Sequence, residues 1–157
     1  MASDQSFGVV IAIATSFARP ADTTAYVAND AVAQTTAATL SFDFNRNEGY
    51  ITKARLMTDQ AANVAQFRLH LFTTAPTAIA DNSPYTQLWA NRAAKIGMID
   101  IGPLATEGTG SDAALGLNTD IRLPFSGDVL YGLLETKTAF TPASAQNFYI
   151  ELTLEAN

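Results

Sequence analysis

From Asn147 to Ala156 the chain alternates apolar and polar residues without a break. Phe148, Ile150, Leu152 and Leu154 fall on one side, and Tyr149, Glu151, Thr153 and Glu155 on the other. A period of two matches the side-chain directions of a strand with one face buried and one in water. Strand-like runs recur upstream. Gly8 to Phe17 is apolar and rich in β-branched residues, ending before Arg19-Pro20. Thr39–Phe44, Gly49–Thr58, Val64–Phe72, Lys95–Ile101, Asn118–Phe125 and Gly127–Thr136 follow, with short strands expected near Thr24–Val27 and Ala31–Ala33.

Turn chemistry separates these runs. Asn45-Arg46-Asn47-Glu48-Gly49 reads as a hairpin turn. Gly49–Thr58 and Val64–Phe72 read as an antiparallel pair joined by a short loop. In the first, Tyr50, Thr52, Ala54 and Leu56 share a side opposite Ile51, Lys53, Arg55 and Met57. In the second, Phe67, Leu69 and Leu71 oppose Arg68 and His70. Pro103–Gly116 reads as a flexible connector. Thr73–Ala94 is the longest irregular stretch, and it carries Pro76, Asp81-Asn82, Pro84, Tyr85 and Trp89, the only tryptophan. Loops of that length are uncommon and often functional. About eight or nine strands at roughly ten-residue spacing predict an all-β fold. The expectation is one antiparallel β-sandwich domain over residues 1–157, jelly-roll in topology, with residues 1–6 as an arm that orders on a neighbour.

Composition narrows the function. Of 157 residues, 48% are hydrophobic and only 15% charged, a low charge that suits either a surface partly covered in an assembly or one simply rich in Ala and Thr. A net charge of −6 with scattered basic residues argues against a broad nucleic-acid footprint. The apolar stretch Phe7–Ala14 lacks a positive flank and is too short to span a bilayer, so it reads as a buried first strand. With no cysteine there is no disulfide and no thiol chemistry.

Candidate chemistry is sparse. His70, the only histidine, reads as part of a solvated strand face beside Arg68, the sharper alternative being a pH-sensitive polar contact. Asp43-x-Asn45-x-Asn47 resembles the start of a calcium loop, but the glycine arrives one residue late and Ala54 stands where a bidentate glutamate belongs. Gly108-Thr109-Gly110-Ser111 has neither the lysine nor the helix of a phosphate loop. No catalytic set, cofactor site or metal site is expected, and the chain reads as a non-enzyme. Met57, Ile99, Ile101, Leu130 and Leu134 lie on the second face of their strands and are candidates for a subunit interface. Tyr85 and Trp89 either plug one end of the sandwich or form a binding loop.

The order of short segments carries a resemblance. Arg19-Pro20-Ala21-Asp22 leads to Asn29-Asp30-Ala31-Val32, then Gly49-Tyr50-Ile51-Thr52 and Phe67-Arg68-Leu69-His70-Leu71-Phe72. Leu123-Pro124-Phe125, Leu130-Tyr131-Gly132 and Phe140-Thr141-Pro142 follow. The succession resembles small structural proteins of tailed bacteriophages. That resemblance implies a decoration (cement) protein on the capsid exterior, partnered with the major capsid protein and acting as a homo-oligomer with a trimer favoured. Charge and the short apolar run separately lead to no direct nucleic-acid and no membrane partner being expected. The alternative is a tail or fibre sandwich that binds host glycan.

Overall fold

The computed structural model describes residues 8–156, so the expected arm at residues 1–6 lies outside the described part. The described residues form eleven strands and one turn of 3-10 helix at Trp89–Asn91. The strands are β1 (Val9–Ala18), β2 (Ala31–Val32), β3 (Leu40–Asp43), β4 (Glu48–Thr58), β5 (Phe67–Phe72), β6 (Lys95–Ile101), β7 (Ala105–Thr106), β8 (Ala114–Asn118), β9 (Leu123–Ser126), β10 (Val129–Thr136) and β11 (Asn147–Ala156). They make two antiparallel sheets around one core.

The first sheet runs β1-β11-β4-β8-β7, and the second runs β2-β10-β5-β6. Each has a long central strand whose second edge is shared by two short ones. Along β4, β9 takes Glu48–Ile51 and β8 takes Ala54–Thr58. Along β10, β3 takes Val129–Gly132 and β2 takes Leu134–Glu135. The alternation of β11 holds throughout: Phe148, Ile150, Leu152 and Leu154 are fully buried. They pack with Phe42, Phe67, Leu69, Leu71 and Leu130 from the second sheet. Phe148 stacks on Phe17 at 5.4 Å and meets Phe67 edge-on at 5.7 Å. Each such side chain removed from water contributes roughly 1.5–3 kcal/mol, so this core is the main stabilising term.

The structure corrects several expectations. β4 and β5 do not pair; they belong to opposite sheets. The link between them is drawn across the sandwich, because the Asn63 carboxamide accepts the Ala65 N–H and the Lys137 N–H binds the Gln66 carbonyl. The turn at Asp43–Gly49 is likewise no hairpin. The Asp43 carboxylate accepts the Asn45 N–H, Asn45 takes a left-handed conformation (φ 51°), and Phe44 drops into the core against Phe125. The chain therefore passes from β3 in one sheet to β4 in the other.

Within β4 the expected faces are partly reversed. Lys53 opposes Thr153 while Ile51 opposes Leu154, so Thr52 is an extra, bulged residue. Ala54, Leu56 and Ile51 consequently all point inward. The expected connector at Pro103–Gly116 contains β7 and much of β8. Gly116 sits so close to Leu104 that a Cβ there would lie 2.6 Å from its Cδ2, which explains a strand built without a β-branched residue at that point.

Ile99, Ile101, Leu130 and Leu134 are buried in this chain's own core. β6 and β10 keep the expected period of two but turn the opposite face inward. Only Met57, half-exposed on the outer face of the first sheet, still presents surface.

Candidate interaction surface

The segment Thr73–Ala94 leaves β5 and returns as β6, and on the way it straps the outer face of the second sheet. Its base is closed by the Thr73 N–H to the Ala94 carbonyl at 2.8 Å. Its middle pairs with the start of β2: Ala31 N–H to Ser83 carbonyl at 2.7 Å, Asn82 N–H to Ala31 carbonyl at 2.9 Å, and Tyr85 N–H to Asn29 carbonyl at 2.8 Å. Asn82, left-handed at φ 60°, makes the bend that permits this.

Asp81 anchors the strap in a buried polar lock. Its carboxylate accepts the Tyr26 hydroxyl at 2.6 Å and the Ala33 N–H at 2.9 Å, and lies 3.3 Å from the Arg19 guanidinium. Arg19, itself buried, donates to the Tyr26 oxygen at 2.8 Å and to Asp22 at 2.9 Å. Burial, reinforced by the Asp81 hydrogen bond, pushes the Tyr26 phenol far up, so it stays a donor at any physiological pH. Residues from four separate stretches are tied together here.

A second cluster lies under Tyr85. Its ring stacks on His70 at 3.8 Å between centroids and 10° between planes. Lys95 donates to His70 Nδ1 at 3.0 Å, which makes Nε2 the protonated nitrogen and the donor to Glu135 at 2.8 Å. Lys137 completes the set at 2.9 Å from Glu135 and 2.6 Å from the Asn29 carboxamide oxygen. His70 is thus 3% exposed rather than solvated. Burial pushes its pKa down to about 4, with the Lys95 charge acting the same way against the Glu135 hydrogen bond. Burial alone would raise Glu135, but hydrogen bonds from Lys137 and His70 outweigh it and hold that carboxyl below its usual range. A neutral imidazole held on both nitrogens has no free position for a substrate or a metal. This is a structural clasp.

What the strap presents to solvent is different in kind. Trp89 is 77% exposed, and Leu88 beside it is 39% exposed. Met98 on β6, 50% exposed, completes an open apolar shelf with Ile96 and Gly97. The cations at this shelf are Arg92 and Lys95, with Gln87 at its rim. Arg92 Cζ lies 4.4 Å over the indole, and its Nη1 donates to the Trp89 carbonyl at 2.9 Å, which holds the guanidinium over the ring. Aromatic and arginine side chains on a rigid base are the residue types that dominate binding energy at interfaces.

Tyr85 and Trp89 therefore share a segment but not a role: one clamps, the other projects. Met57 lies on the other sheet, away from both. Sequence reasoning missed Glu135, Lys95, Asp81, Leu88 and Met98. The one available signal was Glu135, an acid closing the apolar run Leu130–Leu134. The Asp43 turn and the Gly108–Ser111 turn bring no ligand set together, and among the described residues no group of three or more His, Cys, Asp or Glu could hold a metal ion. No described helix is long and apolar enough to cross a membrane.

No protein-family model matches the chain, and neither does any curated protein. Among solved structures it is similar to a chain of the cyanophage Pam1 capsid asymmetric unit, at 13% identity and a TM-score of 0.40, covering 100% of this chain and 92% of that one. It is also similar to a chain of Desmodium yellow mottle tymovirus, at 11% identity and a TM-score of 0.30, covering 99% and 92%. At TM-scores this low, neither likeness fixes fold or function.

Proposed function

We propose that this chain is a structural virion protein, a decoration (cement) protein that binds the outer capsid surface and contacts the major capsid protein through the Trp89 shelf. The observation that carries the reading is a solvent-facing tryptophan, with Leu88 and Met98 around it, held on a strap that is pinned at both ends. A monomer gains nothing from exposing such a cluster, whereas a partner that covers it gains a preordered anchor.

The strand order supports a jelly roll as the architecture. The first strand pairs with the last, β2 and β3 with β10, β4 with β8 and β9, and β5 with β6. This nesting is what a ribbon rolled into two Greek keys requires. Jelly rolls occur in viral capsids and in lectins, so the fold is compatible with the role without supplying it. The order of short sequence segments described above points the same way.

Co-sedimentation with virions, or with particles stripped of this protein, tests the proposal. Saturable binding at many copies per particle is expected. Binding at a few copies only, displaced by host glycan, would favour the second reading, a tail or fibre module. The feature behind that reading is the exposed indole next to Gln87 and Arg92, which also suits stacking on a sugar ring.

A further inference from the structure

The four outer edges of the two sheets are not alike. The first sheet ends on one side at β7, two residues long, and at β9, four residues with Pro124 among them; the second ends on one side at the short strands β2 and β3. The second sheet's other edge, β6, carries Lys95 and Asp100 and has an irregular step at Ile96. Part of it is closed by the Asn118 carboxamide, which donates to the Asp100 carbonyl at 2.8 Å. Shortness, charge, irregularity and cover are the devices by which sheet edges avoid unwanted pairing.

β1 has none of them. It is ten residues long, Val-Val-Ile-Ala-Ile-Ala-Thr-Ser-Phe-Ala, with no charged residue, no proline and no glycine. Its ladder to β11 runs from Val9↔Ala156 to Ala18↔Asn147 without a register shift. Among the described residues nothing pairs with its other edge; β3 runs nearest to it, in the opposite sheet, and forms no ladder with it. Ile11 and Ile13 point toward the core and pack against it, yet stay only half-buried because no strand flanks them.

We propose that this edge is a subunit interface, where two copies of the chain pair β1 to β1 antiparallel across a two-fold axis. The strand's own sequence selects a second copy as the occupant. Centred on Ile13, the pairing sets Ile13 against its symmetry mate and Ile11 against Thr15 on the inner face. On the outer face it sets Ala12 against Ala14. No like charges meet, since β1 has no charges. The inner rows of both copies join into one continuous core, and the contact closes on itself, leaving neither free edge for a third chain. The first sheet then runs through both copies. This inference is independent of the capsid role and replaces the trimer implied by the sequence resemblance.

Sedimentation of the full chain across a dilution series should give twice the chain mass. The Ala12→Lys/Ala14→Lys variant changes only exposed, outward positions and should sediment at the single-chain mass with a cooperative melt, at a lower melting temperature than the paired protein because association no longer stabilises it. The Ala12→Glu/Ala14→Glu variant should also be single, and mixing the two should restore the doubled mass. If either variant fails to fold, hydrogen exchange on the unaltered protein reads the same contact. Amides along the free edge of β1 should be protected when concentrated and should lose that protection on dilution. A single-chain mass at every concentration, a threefold mass, or a doubled mass indifferent to both variants would overturn the proposal. So would pairing that emerges only after residues 1–7 are removed, because the chain's own N-terminus would then be the cover.

Discussion

The outer faces of the two sheets are treated in opposite ways. On the second sheet, His70, Phe72, Leu133 and Glu135 are all buried beneath the Thr73–Ala94 strap. On the first, Arg55, Met57, Tyr149, Glu151 and Thr153 remain half-exposed, with no strap above them among the described residues. Both faces hold ion pairs; the strapped face buries Glu135 between His70 and Lys137 beneath Tyr85, while Arg68–Asp100 at 2.6 Å on the same face stays in water. The buried charges act as fasteners for a loop, whereas the Arg55–Glu151 pair at 3.1 Å is a surface contact. A polar group's value here follows from what covers it, not from the residue type.

Breaking the strap's deepest anchor should have the largest effect. Asp81→Ala leaves Arg19 and Tyr26 buried with fewer partners, and the cost should be about 3–5 kcal/mol in chemical denaturation. Arg55→Ala on the bare face should cost under about 1 kcal/mol. Equal losses from the two would erase the contrast between the faces.

The clasp under Tyr85 predicts a pH dependence. The unfolded imidazole takes up its proton near 6.5, the folded one only near 4. Between those values the unfolded chain binds more protons, so stability falls as pH drops from about 6.5 to about 4, by roughly 3 kcal/mol in all. Glu135, held low in the folded state, adds a further loss as pH falls through the carboxylate range. Denaturation midpoints measured across this range should show the step, and His70→Gln should flatten it. A step that survives the substitution would mean another group is responsible.

Tyr85→Ala should be milder, at about 2 kcal/mol, since it removes one stacked ring from an already anchored segment. Its clearer signature is local: faster hydrogen exchange at the Thr73 and Tyr85 amides with β11 unaffected. Uniform acceleration across both sheets would show that the strap is not a separate unit.

The repeating elements were legible in the sequence because their signal is local. β6 has the predicted bounds, and the inner row of β11 is the predicted row. Which face of β6 and β10 turns inward was not legible. Ile99 and Leu130 sit in alternations whose opposite rows, Met98 and Leu133, are also apolar. β8 was hidden because its two core-facing residues, Ala114 and Gly116, are small, the second by its contact with Leu104. The clasp was invisible for a different reason: His70, Lys95 and Glu135 come from three strands and meet only after the sheet forms. Trp89 was singled out, but whether it faces solvent depends on how the Thr73–Ala94 strap lies on the second sheet, which only the tertiary structure fixes.

If Trp89 anchors a capsid partner and does not plug the fold, removing its ring should cost binding and not stability. The most direct test compares wild-type protein and Trp89→Ala for co-sedimentation with stripped particles, alongside their thermal melts. The expected result is a melt shifted by no more than a surface change allows, within about 0.5 kcal/mol, and particle binding weakened at least about tenfold. Full binding by the variant, or a variant that unfolds, would contradict it.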